Sequence, residues 1–503
     1  MLLAFSVLAV AVASIPLVYL AVRTAEAGGG RIAEELFTLR IALLTVRTIG
    51  LAAVVTVGCL VLGVGSAFLV TRTDLPARRT FGVLAALPLA VPTYIAAFAW
   101  TSTVDGFEGF WAAALVLTLC SYPYVYLPVA AALASADPAQ EEVSRSLGRG
   151  GWRTFTGVTL RQIRPALAGG ALLVGLYVLS DFGAVSILRT DTFTRAIFLA
   201  LDLGFDRTGA LVLSSVLVVL TVVILAGEAA SRRRAARYAG PGGAQRPPNR
   251  IRLGRARWWA AGVLVVVAGL ALGVTAISLA RRMAEGVSRP GAWGEVATAA
   301  GNSLWLSLAG AALTMLLALP LGVLTARVPG RLTDALNRLS YLSHALPGLV
   351  IGLSLVFFGI NVARPLYQTA WLLALGYAAL FLPLGVAAVT SAAAAAPPVL
   401  EDVARSLGRG PLAVLCTVTL PLTMPGIGAG TLLVFLTCMK ELPATLLLRP
   451  TGTDTLATEL WTHTTVASYA AAAPYAALLV ALSTVPAWML VARTGILAKE
   501  VRP

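Results

Sequence analysis

Runs of about twenty apolar residues recur along this chain, and no other feature limits its fold so severely. A helix of that length crosses the hydrocarbon core of a bilayer. Within that core, only helices and closed barrels satisfy their own backbone hydrogen bonds. We read such runs at 2–22, 41–70, 81–101, 111–136, 166–188 and 211–229. A second set lies at 258–280, 303–326, 339–362, 371–396, 426–448 and 470–491. The expectation is an all-α membrane protein of about 12 transmembrane helices, six on each side of a polar break. Composition agrees, since 58% of the 503 residues are hydrophobic and only 12% are charged, about half the charge of an ordinary soluble chain. Ala25-Glu26-Ala27 resembles a small-residue cleavage site, but the opening MLLAF lacks the basic segment of a secretory signal. The first run is therefore expected to stay as a helix.

A net charge of +15 raises the question of nucleic acid, and its placement answers it. With the loop 141–165 set on the cytoplasmic side and the loops alternated, cytoplasmic segments hold 25 of the 38 Lys and Arg. Outer segments hold 11, while Arg47 and Lys440 lie inside apolar runs. Basic loops resist translocation, so this bias orients a multi-pass membrane protein with both termini in the cytoplasm and no nucleic-acid partner. The densest stretch, SRRRAARYAGPGGAQRPPNRIRLGRAR at 231–257, carries nine Arg with Pro and Gly. It reads as a flexible cytoplasmic linker lying against anionic headgroups, dividing the chain into halves 1–230 and 258–503. Cys59, Cys120, Cys416 and Cys438 form no C-x-x-C pair, and His344 and His463 are isolated, so no metal site is assigned. A P-loop needs a lysine ahead of Ser or Thr. The only lysines, Lys440 and Lys499, follow Met439 and Ala498, so the chain is expected to bind no ATP and to hold no catalytic residues.

Displaced by 260 residues, the chain matches itself. Without a gap, 141–190 agrees with 401–450 at 20 of 50 positions, including VTL at 158–160 and 418–420, Pro165 with Pro425, and Gly170 with Gly430. An even number of spans separates equivalent points, so the halves share an orientation, and parallel repeats of this kind commonly hold a pathway between them. The match starts with EEVSRSLGRG at 141–150 and EDVARSLGRG at 401–410. Asp137-Pro138-Ala139-Gln140 supplies an N-cap, a first-turn proline and a capping-box glutamine. Val143 and Leu147 then share a face, and Gly148 permits the helix to end. The product is a short amphipathic cytoplasmic helix. Resting on the membrane interface would explain its Val and Leu, whereas a two-fold soluble partner would also explain its duplication.

This pattern, E-x-x-x-S-L-G followed by L-P, resembles the EAA loop of ABC importer permeases. The resemblance covers nearly the whole chain and implies a type I, MetI-like fold made of two fused permease halves in the inner membrane. It implies that Glu142, Arg145, Ser146, Leu147 and Gly148, with Asp402, Arg405, Ser406, Leu407 and Gly408, couple to two copies of a separate ATP-binding subunit. ATP and Mg would be bound there. An extracytoplasmic solute-binding protein would complete the assembly. Asp402 stands where the family has Glu, and Arg161 where it has the Pro that Pro421 keeps. The stretches LPLAVPTYIAAFAW (87–100), YPYVYLPVAAAL (122–133), SDFGAVSILRTDTFTRAIF (180–198) and KELPATLLLRPTGTDTLATELW (440–461) are similar to ferric iron permeases. Fused thiamine and aminoethylphosphonate permeases share the architecture. An ion-gradient-driven secondary transporter is the alternative from another class.

Charged residues inside membrane spans are costly and are usually functional. Asp181 and Glu441 correspond under the 260-residue shift and are expected deep inside matched helices, with Lys440 beside one of them. They read either as carboxylates lining the translocation pathway or as an ion-pair lock in which Lys440 reaches Asp181. Tyr94, Tyr122, Tyr124 and Tyr126 read as interfacial belt residues, with phenolate ligation of iron as the alternative. Pro88, Pro92, Pro123, Pro347 and Pro383 mark kinks.

Overall fold

The computed structural model describes residues 2–26, 36, 38–202, 207–235, 250–285, 292–328, 330–344 and 346–493. Much of the basic linker, 236–249, and the C-terminal end from 494 lie outside the described residues. Among the described residues, regular structure is helical apart from one isolated parallel bridge between Thr73 and Ile251. Among the described residues, nine helices are long and apolar enough to cross a membrane, and eleven spans result when two bent pairs each count once. The remaining expected run, 339–362, is divided between Arg331–His344 and Gly348–Asn361.

Three of the expected runs are thus broken into separate helices. The run 81–101 is Arg78–Ala90 followed by Thr93–Thr101, bent by 91°. Proline has no N–H to donate and pushes the preceding residue out of the helical region. Val91 is accordingly extended, at φ −85° and ψ 118°, and Pro92 starts the next helix. Pro347 plays the same part before Gly348–Asn361. The run 166–188 belongs to Gly151–Gln162 and Arg164–Ser180, bent by 71°, and it stops at Asp181 rather than continuing to 188. Pro383, by contrast, is accommodated inside the helix Ala370–Ala395.

Packing separates the chain into two compact units. One comprises Glu35–Phe205, Val219–Gly286 and Val491–Pro503; the other comprises Met1–Glu34, Asp206–Val218 and Val287–Leu490. The leading helix of each sequence repeat therefore belongs to the unit built mainly from the other repeat. Leu2–Glu26 packs on Ala292–Arg327, Arg331–His344 and Gly348–Asn361. Its Val10 and Ala13 join a buried cluster with Ala318, Leu321, Leu324, Leu336, Leu382 and Val386. Likewise Val274–Ala284 packs on Thr93–Thr101, where the Ser278 and Ser102 hydroxyls lie 2.8 Å apart.

The central packing of each unit is a trio of helices. Leu39–Arg72 meets Pro123–Ala134 and Arg164–Ser180 in one; Ala292–Arg327 meets Ala370–Ala395 and Leu420–Lys440 in the other. The matched glycines sit at close approaches between these helices. A Cβ on Gly170 would stand 3.0 Å from Val125 Cα, and one on Gly430 would stand 2.4 Å from Ala388 Cβ. Gly428, two residues away, faces open space. Gly430→Leu is expected to destabilise its unit by about 1–3 kcal/mol through overpacking, while Gly428→Leu leaves the thermal unfolding midpoint nearly unchanged.

Candidate functional site

The repeated decapeptides form two nine-residue helices, Pro138–Ser146 and Pro398–Ser406. Asp137 caps the first by accepting the Ala139 N–H at 2.9 Å. Both end at a glycine, Gly148 and Gly408, each with φ +79°, a left-handed conformation that side chains with a Cβ resist. Ser146 and Ser406 donate to the carbonyls of Val143 and Val403 at 2.8 Å, closing the last turn. Leu147 is 72% exposed and Leu407 75% exposed. Val143, Val403, Glu142, Asp402, Arg145 and Arg405 are also exposed. Each helix therefore presents a mixed apolar and charged face outward.

The opposite face is tied down. Glu141 forms an ion pair with buried Arg72 and accepts a 2.7 Å hydrogen bond from Thr159 Oγ1. In the second repeat Glu401, with 7% of its side chain exposed, pairs with Arg327 at 2.8 Å and accepts from Thr419 Oγ1 at 3.1 Å. Arg405 adds a 3.3 Å contact to Glu401. Both arginines end unusually long helices, of 34 and 36 residues. At 1.5 Å per residue these reach about 50 Å, well beyond a hydrocarbon core of about 30 Å. The excess length carries Arg72 and Arg327 out to the loop helices. Thr159 and Thr419 end five-residue π-helical turns, Phe155–Thr159 and Leu415–Thr419, a local widening frequent at functional sites.

These clamps were not foreseen. The repeat contained half of the signal, because Glu141 matches Glu401 and the Thr of VTL recurs at 159 and 419. The arginines escaped because Arg72 and Arg327 are 255 positions apart (327 − 72), so an ungapped shift of 260 does not align them.

Asp181 and Glu441 are not deep inside continuous helices. Each follows the last residue of a long helix, Arg164–Ser180 or Leu420–Lys440, and receives the N-terminus of a short one, Gly183–Ile187 or Pro443–Leu448. Asp181 accepts from the Ala184 and Val185 N–H groups at 3.0 and 3.3 Å and from Thr93 Oγ1 at 2.5 Å. Glu441 accepts from the Ala444 and Thr445 N–H groups, both at 2.9 Å, and from Thr445 Oγ1 at 2.8 Å. Both carboxylates are buried, and their oxygens are engaged in holding a helix break.

The two breaks use different residues of matching bulk. Thr93 follows Pro92, and Gly348 follows Pro347 at the equivalent bend. The shorter Asp181 is met by the Thr93 hydroxyl, whereas the longer Glu441 fills the space over Gly348, whose added Cβ would lie 2.6 Å from Glu441 Oε1. Gly348→Thr is therefore expected to lower stability and transport, and Glu441→Asp in the same chain to restore both in part. Thermal unfolding of single and double variants checks this coupling.

The tyrosines are also corrected. Tyr94, Tyr122 and Tyr126 are buried in the core rather than forming a belt, with the Tyr126 hydroxyl donating to the Gly82 carbonyl at 3.1 Å. Tyr124 packs on Tyr177 with ring centroids 5.3 Å apart. Among the described residues, no group of three or more His, Cys, Asp or Glu side chains is placed to hold a metal ion.

Two regions of the chain, residues 59–237 and 318–492, match the family of binding-protein-dependent transport system inner membrane components. The chain belongs to that family. Both matched regions contain a loop helix, its π turn and the helix break that follows. The chain is 39% identical over 480 residues to the Fe(3+)-transport system permease protein FbpB 2 of Haemophilus influenzae, covering 95% of each chain. It is 30% identical over 186 residues to the sulfate transport system permease protein CysT of Escherichia coli, covering 33% of this chain and 67% of that one. A CysW sulfate permease of Synechocystis is 28% identical over 187 residues, with 33% and 68% covered. The permease is thus the transmembrane component of an ABC importer, working with an ATP-binding subunit and a solute-binding protein. ATP hydrolysis belongs to the partner, and the gradient-driven alternative is set aside.

Proposed function

We propose that this permease carries ferric iron across the inner membrane, received from an extracytoplasmic binding protein and driven by two copies of an ATP-binding subunit. The observation that carries the iron assignment is similarity along 95% of both chains to a permease named for Fe(3+) transport. The sulfate permeases match only a third of this chain. Two loop helices with the same outward face support two ATP-binding subunits, docked on Glu142 to Gly148 and on Asp402 to Gly408. Residues 1–230 and 258–503 form the two fused permease halves, joined by 231–257.

Approach of the two subunits on ATP binding would move the loop helices, and the glutamate clamps would pass that movement to Leu39–Arg72 and Ala292–Arg327. Asp181, Lys440 and Glu441 would border the route. The carboxylates would act through the breaks they hold, because oxygens already accepting several hydrogen bonds are poor candidates for tight iron ligands. Weak contact suits transport, since a tightly held cation is not released.

The test is ⁵⁵Fe uptake by proteoliposomes containing permease, ATP-binding subunit and loaded binding protein, beside a Gly148→Asp, Gly408→Asp control. ATP-dependent uptake that disappears in the control supports the reading. Uptake of ³⁵S-sulfate, thiamine or aminoethylphosphonate in place of iron keeps the importer and overturns its cargo.

A further inference from the structure

We propose that the basic cleft beside the first clamp binds the phosphate of one anionic phospholipid from the cytoplasmic leaflet. The cleft has a volume of about 460 Å³ and is lined by Thr73, Asp74, Leu75, Ala77, Arg78, Arg79 and Arg250. Two stretches far apart in sequence build it. After Arg72 the chain turns through 73–77, and the end of the basic linker docks alongside. Ile251 donates its N–H to the Arg72 carbonyl at 2.8 Å and accepts from the Asp74 N–H at 3.2 Å. The Asp74 carboxylate accepts the Leu253 N–H at 2.8 Å. This strap brings Arg250 to the same cleft as Arg78 and Arg79, so the lining holds three arginines and one aspartate. Planar guanidinium forks suit phosphate oxygens better than point charges do.

The position of the cleft selects a lipid. Arg72, immediately before it, holds the first loop helix through Glu141, so, on the proposed function, the cleft lies on the face that meets the ATP-binding subunit. From the strap the chain enters the apolar helix Ala256–Ala268, which packs on Arg78–Ala86. Trp259, Val263 and Val266 are spaced four and three apart, hence on one face, and all three are exposed, Trp259 at 83%. Trp258 is exposed as well, with the Arg257 guanidinium 5.3 Å from its ring centroid. Tryptophans at a span's end sit at headgroup level, and basic pockets at that depth on the cytoplasmic side suit anionic headgroups. Acyl chains would lie along the Trp259–Val263–Val266 stripe while the phosphate enters the cleft. The assignment is one lipid at this cleft.

Native mass spectrometry of the permease with its ATP-binding subunits, titrated with phosphatidylglycerol or phosphatidylcholine of equal chain length, tests the site. The expected result is retention of one phosphatidylglycerol with at least tenfold preference. Arg78→Gln, Arg79→Gln and Arg250→Gln together should abolish that preference, and the matching triple lysine variant should keep most of it. Unchanged melting of the glutamine variant separates lost binding from lost fold. Equal retention of the two lipids by the wild type, or undiminished preference in a folded glutamine variant, overturns the proposal. So does displacement of phosphatidylglycerol by millimolar inorganic phosphate, which marks a site for free anions. A photo-crosslinker at Ala77 that captures the ATP-binding subunit instead of lipid also overturns it.

Discussion

Glu141→Ala is expected to cost about 3–5 kcal/mol, the effect of leaving one member of a buried ion pair without its counter-charge. Arg72 is buried at the end of Leu39–Arg72, and its charge would face neither water nor a carboxylate. The melting temperature of the purified assembly should fall, and transport should fall further than stability, because the loop helix loses its tie to the long helix. Glu401→Ala should be similarly severe, since Glu401 receives Thr419 as Glu141 receives Thr159, and its second arginine, Arg405, is nearer at 3.3 Å than Arg145 is to Glu141 at 4.0 Å. The charge swap Arg72→Glu with Glu141→Arg should recover part of both losses, whereas Arg72→Glu alone should recover nothing. Melting curves and solute uptake measured side by side check this. Wild-type values for Glu141→Ala would remove the clamp from the coupling route.

Leu147→Asp combined with Leu407→Asp should have the opposite profile. These leucines are among the most exposed apolar residues of the loop helices, so the permease should fold and melt as the wild type does. An apolar interface anchor is worth about 2 kcal/mol or more, roughly thirtyfold in affinity. Losing both should bring co-purification of the ATP-binding subunit and transport to background. Each single variant should retain one docking face and show partial binding. Subunit retention in a pull-down, with melting of the permease alone as the control, measures the effect. Retained binding in the double variant would place the partner elsewhere. The clamp and face variants together separate two sides of one nine-residue helix: one is held by the membrane helices, and the other is the face proposed to meet the ATP-binding subunit.

The membrane spans were legible because hydrophobic length is a local property. The repeat was legible because its residues keep a fixed spacing over 50 positions, and the loop helices because proline, amphipathic spacing and glycine occur together there. Bends were foreseen at proline, but the size of each depended on whether neighbouring helices accepted the break. Pro92 accompanies a 91° turn, while Pro383 remains inside a helix. Asp181 and Glu441 were recognised as matched and significant from their place in apolar runs. Their role as caps was hidden, because donors three and four residues ahead become available only once the helix has stopped.

A helical membrane protein with an internal repeat and a short amphipathic helix in each copy was legible in the chain alone, because apolar length and internal repetition are written along it. Which helices keep company was settled by packing. It placed each repeat's leading helix in the other repeat's unit, brought Arg72 to Glu141 and Arg327 to Glu401, and matched Thr93 with Asp181 where Gly348 makes room for Glu441. Those choices depend on shape and buried charge meeting across tens to hundreds of residues, where no periodicity in the sequence records the partner.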